Sequence, residues 1–95
     1  MATFALICLD KPDALELRLA NREAHLAFVA AHRDLVRLAG PFVGEGGQMI
    51  GSLFLIGAPD EAVVRAFNAA DPYVRAGLFE RVELRPWRVT VGQLP

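Results

Sequence analysis

Residues 41–56, PFVGEGGQMIGSLFLI, carry the strongest fold signal in the chain, because two apolar runs flank a loop that holds three glycines. The pattern predicts a β-hairpin, with a strand over Pro41–Glu45, a loop over Gly44–Gln48 and a second strand over Met49–Ile56. A hairpin joins neighbouring antiparallel strands, so the middle of the chain is expected to belong to a sheet.

The segment before the hairpin is expected to hold a strand and a long helix. Thr3–Leu9 is a short run rich in large apolar side chains, which is typical of a buried strand. From Ala14 to Leu38 the chain contains strong helix formers and neither glycine nor proline. We expect a break near Asn21, which would cap a main helix over Arg22–Leu38.

The segment after the hairpin predicts a second helix and a last strand. Pro59–Glu61 is typical of a helix start, since proline suits the first turn and acidic groups favour the positive end of the helix dipole. This helix is expected to end by Ala70, because Asp71–Pro72 breaks the chain. A short turn then leads to a strand over Leu78–Val91, whose pairing is expected to bulge or end at Pro86.

The order strand, helix, strand, strand, helix, strand predicts an α+β fold of the ferredoxin-like, split βαβ type, with a four-stranded antiparallel sheet and both helices on one face. The first and third strands are apolar on both faces, which two helices cannot cover together. We therefore expect a homodimer that buries the helix-free face of each sheet. The residues that alternate in the first strand are Phe4, Leu6 and Cys8 on one side and Ala5, Ile7 and Leu9 on the other.

Composition limits the partners. The 95 residues fit a single domain, spanning residues 1–95, and a hydrophobic fraction of 54% favours a folded core. Ten basic residues are scattered among eleven acidic ones, so no nucleic-acid partner is expected. No apolar stretch approaches the roughly 18 residues that span a bilayer, and the N-terminus lacks a basic leader, so we expect a soluble, cytoplasmic protein with no membrane partner. The single cysteine, Cys8, is interpreted as a small buried hydrophobe.

The two histidines are the candidate chemical groups. His25 and His32 fall on the same apolar stripe of the predicted main helix, where a buried imidazole needs a polar partner. His25 would lie in the first turn after a cap at Asn21, where the helix dipole favours a neutral base, and His32 is interpreted as structural. No cysteine or carboxylate at ligand spacing supports a metal site. The glycines of Gly44–Gln48 do not open a helix and so form no phosphate-binding loop, and no organic cofactor is expected.

Several short motifs resemble those of the YCII-related (YciI-like) family, in the same order and at similar spacing over nearly the whole chain. The family's R-x-x-HL stretch is matched by Arg22, His25 and Leu26, and its AGP turn by Gly40 and Pro41. Its GS element is matched by Gly51 and Ser52, and its DPY element by Asp71, Pro72 and Tyr73, which Gly77 follows.

This resemblance implies a ferredoxin-like dimer with a small pocket, in which a His and Asp pair has been proposed as the active site; one family member is a dehydrochlorinase of a chlorinated hydroxyquinol. The pair carries over to His25 and Asp71, with Arg22, Ser52 and Tyr73 as pocket groups. A competing role for Asp71 is to cap the turn after Pro72, and the two roles are compatible. The other nearby carboxylate, that of Asp34, is excluded because it would lie about 180° round the helix from His25.

Two functions follow as hypotheses. In the first, the protein is a small enzyme that abstracts a proton from a small metabolite, with His25 as general base and Asp71 orienting it. In the second, it is a non-catalytic dimeric ligand-binding or accessory module. A histidine paired with a carboxylate beside an open cavity would favour catalysis, and two histidines sealed in the core would favour the module.

Overall fold

The computed structural model describes all 95 residues and contains four strands and three helices. They follow the order β1 (Ala2–Asp10), α1 (Leu15–Ala31), β2 (Val36–Val43), β3 (Met49–Ala58), α2 (Glu61–Ala70), α3 (Pro72–Arg75) and β4 (Phe79–Trp87). The short helix α3 occupies the place where the sequence predicted only a turn. None of the helices has the length and apolar character needed to span a bilayer.

The four strands form one antiparallel sheet in the order β2-β3-β1-β4. Strand β1 lies between β3 and β4, so Leu6 of β1 has Phe54 of β3 opposite it on one side and Leu84 of β4 on the other. This arrangement is the split βαβ topology, so the predicted α+β, ferredoxin-like fold is confirmed. The predicted hairpin of β2 and β3 is also present, with Gly47 in the left-handed region at φ 83° within its loop.

The core lies between the helices and one face of the sheet. Alternate residues of β1 and β3 point to this face, and α2 adds Val64 and Phe67 while α1 adds Phe28 and Val29. Both long helices therefore pack on the same side of the sheet. The fully buried strand residues on this face include Leu6, Cys8, Phe54 and Ile56.

The helix-free face of the sheet is partly apolar. Ile7 lies opposite Leu53, and both are half-buried because no helix covers them. On β4 the same face carries Glu83 with Arg81 and Arg85, whose guanidinium groups lie 3.4 Å and 3.2 Å from its carboxylate. An apolar half thus adjoins a charged half.

Helix α1 differs from its prediction at both ends. It is continuous through Asn21, whose side-chain amide donates to the carbonyl of Leu17 at 2.9 Å, so the predicted cap at Asn21 is wrong. It ends at Ala31, and the predicted extension to Leu38 is wrong because Val36 already pairs with Ile56 in the sheet.

The remaining boundaries shift by a few residues. Strand β2 begins at Val36 rather than Pro41, and β4 ends at Trp87 rather than Val91. Pro86 lies opposite Phe4 within a continuous register, so it neither bulges nor ends the pairing. The start of α2 lies within the predicted Pro59–Glu61, but Pro59 precedes the helix rather than lying in its first turn, because Asp60 is the N-cap and its side chain accepts a hydrogen bond from the Val63 amide at 3.1 Å.

Candidate active site

The carboxylate of Asp71 lies 2.8 Å from the imidazole of His25, measured from Oδ1 to Nδ1. Asp71 is the residue between α2 and α3, where Pro72 holds it in an extended conformation and makes it the N-cap of α3. The same Oδ1 accepts the backbone N–H of Tyr73 at 2.9 Å. The capping contact and the contact with His25 therefore coexist, as the sequence allowed.

Asp71 is fully buried, and its second oxygen, Oδ2, has no hydrogen-bond partner in the protein. An ionised carboxylate only accepts hydrogen bonds, so the proton of a neutral His25 lies on Nδ1. The other ring nitrogen, Nε2, then carries a lone pair. Nε2 makes no hydrogen bond within the chain and is not fully buried.

His25 lies in the middle of α1 rather than in its first turn, so the expected effect of the helix N-terminus on this residue does not apply. Its ring is instead positioned by aromatic contacts. The Tyr73 ring stacks on it with a centroid distance of 4.0 Å and an interplanar angle of 13°, and Phe54 meets it edge-on at 5.9 Å. The imidazole is therefore fixed by two rings and one carboxylate.

A buried arginine, Arg18, completes the site and was missed by the sequence analysis. Its guanidinium donates twice to Asp10, from Nε at 2.8 Å and from Nη2 at 3.0 Å, and Nη2 also donates to the Ser52 hydroxyl at 2.8 Å. The guanidinium carbon lies 4.6 Å from the centre of the Tyr73 ring. Arg18 precedes His25 by two helical turns, so a continuous α1 places both on one face.

These groups line a cavity of about 140 Å³ between α1 and the β2–β3 hairpin. The polar residues of its wall are Arg18, Arg22, His25, Ser52 and Tyr73, and the rest of the wall is largely apolar. A dry cavity of about 150 Å³ is known to admit a benzene ring, so this volume suits a small ring compound. Asp71 lies behind His25 and is not part of the cavity wall.

The structure brings the predicted pocket residues Arg22, Ser52 and Tyr73 to this cavity together with His25. Arg22 is exposed and has no carboxylate partner in the chain. Asp34 is exposed in the turn after α1, so it is outside the site because the helix has ended and not because of its position round the helix. His32 also lies outside the cavity, where its Nδ1 donates to the Phe28 carbonyl at 2.7 Å.

Burial and nearby charges change the acidity of three groups. Burial raises the pKa of Tyr73, although the charges of Arg18 and Arg22 act in the opposite direction. Burial alone would lower the pKa of Arg18, but its hydrogen bond with Asp10 raises it above the usual value. Burial also raises the pKa of Cys8 to about 12. No cluster of three or more histidine, cysteine or carboxylate groups is close enough to hold a metal ion.

The family model of the YCII-related domain matches residues 2–88. The chain belongs to this family. Protein YciI of Escherichia coli O6:H1 is 34% identical to this YCII-related domain over 93 residues, which cover 90% of the present chain and 95% of the relative. Protein YciI of Shigella flexneri matches to the same extent.

Solved structures agree with this assignment. The 5-chloro-2-hydroxyhydroquinone dehydrochlorinase TftG of Burkholderia phenoliruptrix, in complex with 2,5-dihydroxybenzoquinone, superposes on the YCII-related domain with a TM-score of 0.85. The two sequences are 28% identical, and the match covers 90% of this chain and 93% of TftG. An antibiotic biosynthesis monooxygenase family protein from Bacteroides thetaiotaomicron matches with a TM-score of 0.62 over 99% of this chain and 93% of its own; at 14% identity it supports the fold alone.

Proposed function

We propose that this YCII-related domain is a small enzyme that abstracts a proton from a small metabolite in a lyase-like reaction. His25 is the general base, and Asp71 orients its ring. The observation that carries the proposal is the 2.8 Å contact between His25 and Asp71 beside a cavity that His25 itself lines. A non-catalytic module was expected to seal both histidines in the core, whereas His25, although only 7% exposed, lines the cavity, which favours the enzyme.

The chemistry follows from the tautomer of His25. Its Nε2 lone pair takes a proton from the bound substrate, and the electron pair of the broken bond stays on the substrate. The resulting imidazolium is stabilised by the Asp71 carboxylate at Nδ1. In a dehydrochlorination the chloride then leaves with the electron pair of the carbon–chlorine bond, so the substrate loses one proton and one chloride ion in total.

The similarity to TftG supports the reaction type, since TftG is a dehydrochlorinase and its structure holds 2,5-dihydroxybenzoquinone. A small ring compound of this kind also suits a cavity of about 140 Å³ whose wall is apolar apart from a few polar groups. Arg22, Ser52 and Tyr73 would bind its polar substituents.

The protein would act as a homodimer. Ile7, Leu53 and Leu55 lie on the helix-free face of the sheet and are only half-buried in the single chain. A second copy of the same face would remove their apolar surface from water, which is the usual driving force of such association.

A melting-temperature screen tests ligand binding first. Any compound that binds the native state raises the stability by mass action, by about 2.7 kcal/mol at a hundredfold excess over Kd. The screen would include 2,5-dihydroxybenzoquinone, chlorinated hydroxyquinols and other small cyclic acids. Compounds that bind are then assayed for turnover, with chloride release as the measurement for the chlorinated ones.

The catalytic role is tested by His25→Gln, with His32→Gln as the matched control on the other histidine of the chain. Glutamine retains a polar group but cannot act as the base, so H25Q should lose roughly 10²- to 10⁴-fold in kcat. H32Q should keep its activity, because His32 lies outside the cavity. Retained turnover in H25Q would refute the proposed mechanism.

A further inference from the structure

The guanidinium of Arg18 has donors that the protein does not use. Asp10 and Ser52 take up Nε and Nη2, and the guanidinium also lies close to the Tyr73 hydroxyl, so at least one N–H of Nη1 has no partner in the chain. Arg18 is only 2% exposed, yet Nη1 is not fully buried. Because Arg18 lines the cavity, its unused N–H groups are available to whatever the cavity binds.

Two hydroxyl groups of the same wall each keep a proton to donate. The Tyr73 hydroxyl, in a residue that is only 1% exposed, lies close to the Arg18 guanidinium, whose N–H groups can only donate, so the hydroxyl proton of Tyr73 stays free. Ser52 accepts a hydrogen bond from Arg18 through Oγ, which leaves its own hydroxyl proton free to be donated. These three donors lie on one cavity wall and are not sealed inside the protein, so a ligand atom that accepts hydrogen bonds can take the place of water there.

The charge of the wall favours a negative ligand atom. The ionisable groups that line the cavity are Arg18, Arg22, His25 and Tyr73, and none of them is a carboxylate. Asp10 balances Arg18 from behind and holds its orientation through two hydrogen bonds. Arg22 has no such partner, and the two carboxylates of the site, Asp10 and Asp71, both lie behind the wall, so the charged groups that a ligand meets directly are cationic.

We infer that Arg18, Tyr73 and Ser52 form an oxyanion-binding subsite, and that the substrate is therefore a small phenol, enol or enolisable carbonyl compound. The inference rests on the proposed function, since proton abstraction by His25 is the step that would create the negative oxygen. The proton goes to Nε2 of His25, and the electron pair that it leaves behind is delocalised onto the substrate oxygen. Fixed donors aimed at that oxygen stabilise it without reorganisation of solvent.

The test uses 4-nitrophenol as a probe, because its phenolate absorbs visible light and its neutral form does not. Binding is measured at the pH at which half of the free phenol is ionised. The wild-type protein should prefer the phenolate to the neutral phenol. The ratio of phenolate to neutral phenol should then be at least tenfold higher for the bound probe than for the free probe. Tyr73→Phe keeps the ring that stacks on His25 but removes the hydroxyl, and it should reduce this preference roughly 10- to 100-fold, the value of one hydrogen bond to a charged group.

Arg18→Lys tests the guanidinium directly, and Arg65→Gln is a matched loss of one exposed arginine on α2, away from the cavity. R18K should lower the phenolate preference, and R65Q should leave it unchanged. If the buried lysine prevents R18K from folding, Y73F alone still decides. Three results would overturn the subsite: the phenol binds in its neutral form, it binds equally well to Y73F, or it does not bind at all.

His25→Gln separates this inference from the proposed function. If H25Q binds phenolate as the wild type does and has lost turnover, both proposals stand. If H25Q loses the phenolate preference, the imidazolium holds the anion and the subsite is refuted, while the role of His25 as base remains. If H25Q keeps both the preference and the turnover, the subsite stands and the proposed base is wrong.

Discussion

Replacement of Asp71 by alanine or by asparagine separates the two roles of its carboxylate. Alanine removes both contacts of Oδ1, the one with the Tyr73 amide and the one with the His25 ring. Asparagine keeps a carbonyl oxygen at the same place, so both donors remain satisfied, but it removes the negative charge. Since Oδ2 has no partner in the protein, the asparagine NH₂ group would be buried at this position without an acceptor.

The expected magnitudes differ accordingly. Loss of an N-cap costs about 1 kcal/mol, and a buried ring N–H without an acceptor costs about 1–3 kcal/mol, so D71A should lose roughly 2–4 kcal/mol of the free energy of unfolding. D71N should lose less than D71A, about 1–2 kcal/mol, because relief from burying a charge partly offsets the cost of a buried NH₂ group without an acceptor. Without the charge that stabilises the imidazolium, however, D71N should lose about 10²- to 10⁴-fold in kcat.

Urea unfolding, followed by fluorescence of the single tryptophan, Trp87, measures these changes. All variants are compared at one protein concentration, since the stability of a dimer depends on it. Asp60→Ala is the matched control, because Asp60 caps α2 at an exposed position and contacts no histidine. D60A should cost about 1 kcal/mol. A D71A variant no less stable than D60A, or a D71N variant as unstable as D71A, would refute the reasoning.

Two further predictions concern the sheet. Leu53→Asp places a charge on the helix-free face and should convert the proposed dimer to a monomer in light scattering. The control, Leu19→Asp, changes a residue of α1 that is 54% exposed and should leave the dimer intact. A dimeric L53D would show that this face is not the interface. Because burial raises the pKa of Cys8 from 9.0 to about 12, the neutral thiol stabilises the fold below pH 9, and this contribution is lost as the pH rises from 9 towards 12. The urea stability of Cys8→Ala should therefore fall less steeply over that range than the wild type's, and equal slopes would contradict the assignment.

The parts of the fold that sequence predicted well are those with strong local signals. The glycines of Gly44–Gln48 and the apolar runs beside them gave the hairpin, and Asp60 gave the start of α2. The end of α1 was not predictable in the same way. Leu35 and Val36 continue the helical pattern, but the Gly57 amide donates to the Leu35 carbonyl at 2.9 Å, so pairing with β3 overrides local helix propensity.

One wrong prediction concealed part of the site. A break at Asn21 separated Arg18 from the main helix, although asparagine is tolerated within a helix when its side chain bonds to the carbonyl four residues earlier. A continuous helix from Ala14 would have placed Arg18 on the face of His25. The partnership of Arg18 with Asp10 depends on how the end of β1 meets the start of α1, which no local pattern specifies.

The uninterrupted helix between Arg18 and His25 also works as a fixed spacer. Seven residues of α-helix separate the two side chains by about 10 Å along the axis and return them to nearly the same side. Apart from Arg22, which lines the cavity, the residues between them are free to vary in identity, but their number is not, since one inserted or deleted residue would turn one group away from the other by about 100°. Insertions tolerated in the loop at Gly44–Gln48 should thus be damaging in residues 19–24, even where substitutions of the residues other than Arg22 are harmless.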